Sequence, residues 1–221
     1  MRLKVLRQEV REANMALLEA GLVTWTSGNV SGRDPETGLI VIKPSGVMFR
    51  ELTPDKMVIV DENAQRLEGD LGASSDTASH AFIYRHRPDV MSVVHTHSNY
   101  ATAFAAVNRS IPVCLTAIAD EFGAPIPCAP YARIGGQDVG RTILEHIGDS
   151  PAILMRQHGV FTLGSTVEKA LKAAVMVEDV AKTVWLALQL GETKDLPQEE
   201  IEANFERYKR RYGTANASIH G

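Results

Sequence analysis

Cysteine is scarce in this 221-residue chain, with only Cys114 and Cys128 present. Their spacing matches neither a disulfide framework nor a metal finger, so reduced thiols and a cytoplasmic setting are the expectation. There is no run of Lys or Arg, and the formal net charge is −4. That balance argues against nucleic acid as a main partner. An anionic ligand gets no help from the overall field and needs a local pocket of donors. No stretch approaches the ~18 consecutive apolar residues that a membrane span requires. Residues 1–10 are charged throughout and lack the apolar segment of a signal peptide.

What is present suits one globular domain. Hydrophobic residues make up 44% and charged residues 23%, enough apolar surface for a core without staples. A single domain over 1–221 is expected, with 214–221 as a candidate flexible tail. Leu3, Leu6, Val10, Ala13 and Leu17 recur at helical spacing, and Gly21 follows as a stop. Residues 26–31 read as a small polar turn, 39–42 and 57–60 as strands, and Lys43-Pro44-Ser45-Gly46 as a turn between them. A helix follows Ser74-Ser75-Asp76 and stops before Pro88. The segment 90–95 reads as a buried strand and 99–106 as a short helix. Four prolines in 111–131 oppose any regular element there. A helix at 137–146 and a strand at 152–155 come next. Ser165 and Glu168 have capping-box spacing ahead of a long helix that ends at Gly191. A polar helix spans 199–212. Strands and helices intermix, which is an α/β class.

The sharpest signal is His95-Thr96-His97. On an extended segment, residues two apart face the same side, so both imidazoles can reach one ion. Alone, such a pair is as readily explained by hydrogen-bonded core histidines. His158, in the Gln157-His158-Gly159 turn at a strand end, can supply a third ligand. Three neutral imidazoles with an open position describe a catalytic zinc site, and Mn²⁺ or Co²⁺ suits the same donors. Asp76, at a helix start, is the natural oxygen ligand. His80, His86, His146 and His220 read as ordinary hydrogen-bonded histidines.

Three small polar turns recur, at Gly28-Asn29, Ser45-Gly46 and Ser74-Ser75. Each offers backbone N–H groups and a short donor side chain, and the third precedes a helix whose dipole favours an anion. With Lys43 nearby they could hold a phosphate. Taken one at a time, ordinary turn and cap chemistry explains them equally well.

Together, Gly28-Asn29-Val30-Ser31, Lys43-Pro44-Ser45-Gly46, Ser74-Ser75-Asp76, His95-Thr96-His97 and Gln157-His158-Gly159 resemble, in order and spacing, the class II aldolase and epimerase family. The resemblance implies a three-layer α/β/α fold on a mixed or largely antiparallel sheet. It also implies zinc on the three histidines, and a homotetramer with sites between subunits. The chemistry implied is cleavage of a sugar phosphate through an enediolate. Asp76 stands where the family's aldolases carry Glu and its epimerases Asp. Asp120, together with Tyr212 of the Tyr212-Gly213 pair, resembles the epimerases' two proton-transfer groups. An alternative alignment puts His220-Gly221 at that ending. The implied reaction is therefore interconversion of L-ribulose 5-phosphate and D-xylulose 5-phosphate, with an aldolase acting on L-fuculose 1-phosphate as the alternative. The same family contains the head of the cytoskeletal protein adducin, which lacks the working metal site; all three histidines here disfavour that scaffold role.

Overall fold

The computed structural model describes residues 2–212. The tail expected at 214–221, with the His220-Gly221 alternative, lies outside them.

Short β-branched runs at 40–42, 58–60 and 93–94 set part of the sheet. Eight strands, β1 (Asn29–Arg33), β2 (Ile40–Ile42), β3 (Val58–Val60), β4 (Arg66–Glu68), β5 (Ser92–Thr96), β6 (Cys128–Ala129), β7 (Ala152–Met155) and β8 (Gly159–Gly164), form one sheet. The spatial order is β4-β3-β2-β1-β5-β8-β7-β6. All neighbours are antiparallel except β6 and β7, so the sheet is mixed. Strand alternation divides the core between two faces. Ile40, Ile42, Val58 and Val60 pack under α2 (Thr77–His86) and α5 (Asp138–His146). Val41, Ile59 and Val94 point the other way, toward α1 (Lys4–Glu19) and α6 (Val167–Leu190). On that second face α3 (Asn99–Ala106), α4 (Thr116–Phe122) and α7 (Gln198–Arg211) pack with α6 over Leu154 and Val160. Both faces are covered, and the three layers are those expected.

Several local expectations are corrected. Residues 29–31, read as part of a turn, belong to β1. Its Gly32 must be small, because a Cβ there would lie 2.8 Å from Leu6 Cδ1 and 2.9 Å from Val10 Cγ2 of α1. Despite its prolines, 111–131 contains α4 and β6, with Ile111 and Ile126 bridged between them. The strand β8 was not foreseen. The cap of α6 shifts by one residue: Thr166, not Ser165, accepts from the Lys169 N–H at 3.1 Å. Ser165 receives the Lys169 side chain instead. Because N3 is Lys169, the reciprocal half of a capping box is missing.

The central position of β5 matters most for function. Pairing with β1 sets His95 opposite Asn29, and pairing with β8 sets it opposite Phe161. One strand end thus faces both the polar turn of β1 and the turn that carries His158. Among the described residues no helix is long and apolar enough to cross a membrane.

Candidate metal centre and anion cradle

The ligand atoms of His95, His97 and His158 lie within 4.8 Å of one another. Their environments differ. His95 is buried, stacked on Phe161 with ring centroids 4.1 Å apart. Its Nδ1 lies 2.9 Å from the Val160 carbonyl oxygen. A carbonyl only accepts, so Nδ1 carries the hydrogen and Nε2 keeps its lone pair. His97 Nδ1 meets the Ser27 hydroxyl at 2.9 Å. His158 Nδ1 is buried without a hydrogen-bond partner, an orphan that a ligand would satisfy. Gly159 lets these rings meet, since a Cβ there would lie 2.5 Å from the Thr96 carbonyl oxygen and 2.6 Å from His97 Cδ2. The preceding Gln157 takes a left-handed φ of 57°, unusual for a side-chain-bearing residue, to turn β7 into β8.

Burial pushes His95 down to about 3, with Asp76 pulling the other way. Burial likewise lowers His97 and His158. Metal ligation needs unprotonated imidazole, and these rings are held in that form. The donor set and the orphan nitrogen therefore fit a divalent ion.

The three predicted anion turns are tied together beside this cluster. Ser74 N–H donates to the Lys43 carbonyl at 3.1 Å, and Ser45 N–H to that of Gly72 at 2.9 Å. Asn29 Nδ2 donates to Ser74 Oγ at 3.1 Å and to Asp76 Oδ2 at 2.7 Å. Lys43 Nζ donates to the Thr26 carbonyl at 3.1 Å. All seven predicted phosphate residues, Gly28, Asn29, Lys43, Ser45, Gly46, Ser74 and Ser75, line one cavity of about 340 Å³ with Asp76 and the three histidines. The bonds refine their parts. The N–H groups of Ser45 and Ser74 are committed to the chain itself. Both hydrogens of Asn29 Nδ2 are committed too, and its buried Oδ1 has no partner, so Asn29 presents an acceptor to a ligand. Ser74 Oγ in turn donates to Asp76 Oδ2 at 3.4 Å, so the clearest anion partners are Lys43 Nζ and the hydroxyls of Ser45 and Ser75.

Lys43 is buried, and burial pushes its ammonium down to about 8 against the opposing pull of Asp76. Below that value a cation sits in the cavity; above it the charge is lost. Inorganic phosphate should therefore bind the metal-free protein about 25-fold more weakly at pH 9.5 than at pH 7.5, following the charged fraction of a group titrating near 8. Calorimetry across that range checks this, and a Lys43→Met variant should show a flat, weak profile.

Asp76 stands in the same cavity, held by Asn29. Burial opposes its ionisation, but the attraction of His95, then of His80, and the Asn29 bond outweigh that and keep the carboxyl below its ordinary value. It does not belong to the histidine cluster itself. His80, read from sequence as an ordinary buried histidine, lies fully buried and bonds Ser31 Oγ at 2.8 Å. Asp76 raises its pKa, yet burial dominates and pushes it down to about 4. His86 and His146 bond carbonyls on their own helices, at Phe82 and Thr142. Ile134 and Gly135, which no sequence motif marks, also line the cavity.

Asp120 and Tyr212 line a second cavity, with Glu121, Lys172 and Tyr208. Asp120 pairs with Arg207 at 3.3 Å. Tyr212, at the end of α7, stacks on Tyr208 with centroids 4.3 Å apart. Within one chain they are not brought to the histidines.

A layered α/β/α protein with neutral imidazoles beside a lysine-and-serine cradle is of a class able to hold a divalent cation next to an anionic ligand. Residues 8–185 match the family described as the class II aldolase and adducin N-terminal domain. An L-fuculose 1-phosphate aldolase structure is 31% identical, over 95% of this chain and 98% of that one, with a TM-score of 0.89. YgbL of Escherichia coli, whose description leaves aldolase, epimerase and decarboxylase open, is 26% identical over 91% and 98%, with a TM-score of 0.77. An L-fuculose-1-phosphate aldolase from Thermus thermophilus, at 24% identity over 86% and 98%, shares the fold with a TM-score of 0.72. The chain belongs to the class II aldolase and adducin N-terminal domain family.

Proposed function

We propose that this protein is an enzyme performing reversible aldol cleavage of a short sugar phosphate at a zinc site. The observation that carries this reading is the single cavity that joins three neutral imidazoles to the Lys43 and serine cradle. His95, His97 and His158 would hold the ion, and Asp76 stands beside them as the oxygen donor. A divalent ion there supplies Lewis-acid stabilisation of the negative charge left when the carbon–carbon bond breaks; Mn²⁺ and Co²⁺ suit the same ligands. Lys43, Ser45 and Ser75 anchor the phosphate, with Ser74 lining the same cavity, and so fix which carbons lie near the histidines. Asn29 Oδ1 accepts a substrate hydroxyl.

The hydroxyl proton released in cleavage needs an acceptor, and its return needs a donor. Asp120 and Tyr212 fill these parts if a second copy of the chain carries them over the first copy's cavity, as in a homotetramer with sites between subunits. Epimerisation of L-ribulose 5-phosphate is the second reading. It is favoured by Asp76, in place of the aldolases' Glu, and by Asp120.

The test is to incubate zinc-loaded protein separately with L-fuculose 1-phosphate and L-ribulose 5-phosphate. Dihydroxyacetone phosphate from the first supports the aldolase, and D-xylulose 5-phosphate from the second supports the epimerase. Neither product, with metal bound, overturns both. On whichever substrate turns over, Asp120→Asn should slow the reaction about 100-fold or more without releasing the metal. Unchanged turnover would remove Asp120 from the mechanism.

A further inference from the structure

Each histidine of the cluster has a different outer contact. His95 leans on a backbone carbonyl, which no substitution can delete, and His158 Nδ1 has no protein partner. Among the described residues, His97 alone of the three hydrogen-bonds a side chain, Ser27 Oγ at 2.9 Å. Ser27 sits in a turn that the fold fixes at several points. Its N–H donates to the Thr24 carbonyl at 3.0 Å. Trp25 within the turn has φ 59° although 71% of its surface is exposed, so packing does not demand that backbone. A bulky residue held in the left-handed region is a genuine outlier, of the kind that clusters at functional sites. Three residues on, Gly28 has φ +89°, and a Cβ there would lie 2.7 Å from Val23 Cγ1 and 3.0 Å from the His95 carbonyl oxygen. The Thr26 carbonyl takes the Lys43 ammonium. The same four-residue turn thus touches the phosphate lysine with one residue and a metal ligand with the next.

Resting on the metal reading above, we propose that Ser27 is the positioning residue for His97: its hydroxyl, able to donate or accept, holds the ring's orientation and acts as acceptor of the Nδ1 hydrogen, the tautomer that leaves Nε2 for the ion. His97 is the exposed member of the cluster, so without that contact its ring is free to turn into solvent. Outer partners of metal-bound histidines typically change metal affinity by 10- to 100-fold. Ser27 also lines the cavity; the role assigned to it here acts through His97.

The experiment uses Ser27→Ala and Ser27→Thr. Zinc affinity is read by chelator competition, and the His97 tautomer in metal-free protein by ¹⁵N chemical shifts of the ring nitrogens. Ser27→Ala should bind zinc about 10-fold or more weakly and show mixed His97 tautomers, with an unchanged melting temperature when metal-free. Ser27→Thr, which keeps the hydroxyl, should restore both. Zinc affinity within twofold of the parent in Ser27→Ala, or an equal loss in Ser27→Thr, overturns the proposal. A parent protein that binds no zinc would defeat the aldolase reading instead. The tautomer measurement would still decide whether Ser27 holds the ring: one tautomer in the parent and a mixture in Ser27→Ala support that grip, and identical spectra refute it.

Discussion

Replacing His97 with alanine is expected to lower turnover on the proposed sugar phosphate about a thousandfold or more while leaving the fold intact. Lewis-acid stabilisation of developing charge contributes several kcal/mol, and each ~1.4 kcal/mol is a factor of ten in rate. His97 is the informative position because its ring is the exposed one of the three. His95 is 2% exposed and stacked on Phe161, so its truncation would open a hole in the core as well as remove a ligand. His97→Ala should show a melting temperature near that of the metal-free parent, with metal content well below one ion per chain. Removing metal from the parent with a chelator should produce the same loss, reversed by zinc and in part by Mn²⁺ or Co²⁺. Full turnover in a metal-free sample would leave the imidazole cluster without its proposed role.

The parts of this site that were legible in the sequence share one property: their signal is local. His95 and His97 follow an apolar run, and their period of two is enough to set them on one side of a strand. The long helix behind Thr166 announces itself by periodicity, although its cap lies one residue beyond Ser165, where the capping-box spacing puts it. Two neighbouring hydroxyls, Ser165 and Thr166, can each serve, and the turn geometry decides between them. What was hidden depends on pairing across the sheet. Asn29 looks like a turn residue because Ser31 and Gly32 after it lack β-branched bulk. Its strand is selected by α1 pressing on Gly32 and by pairing with β5, which no local pattern reports. Likewise α4 survives between prolines because Ile118, Ala119 and Phe122 are buried against other helices. Tertiary burial there overrides the local signal. Asp120 and Tyr212 show the opposite limit. They were singled out by resemblance alone, and within one chain they line a cavity apart from the histidines; only the second copy proposed above would bring them together.

Acid should destabilise the metal-free protein through its buried imidazoles well before the carboxylates are reached. His95 and His80 titrate near 3 and near 4 in the folded chain, because burial disfavours their charged forms. In the unfolded chain both would titrate near 6.5. The unfolded state therefore binds more protons between about 6.5 and 4, so stability falls as pH drops through that window. Each histidine contributes roughly 3 kcal/mol by pH 4, at about 1.4 kcal/mol per unit. Together that is a large share of the ~5–15 kcal/mol typical of a domain. Asp76, whose carboxyl is held low, adds its loss only below its ordinary value near 3.8, outside that window. Urea unfolding from pH 7 to pH 4 should show the slope, to which the lowered His97 and His158 also contribute, and a His80→Gln variant should be less stable at pH 7 but lose less on acidification. Saturating zinc should move the onset to lower pH, since protons must now compete with the ion for His95. A metal-free parent whose unfolding midpoint is unchanged between pH 6.5 and 4.5 would contradict the claim that these imidazoles are held neutral, and with it the pre-formed ligand set on which the metal centre depends.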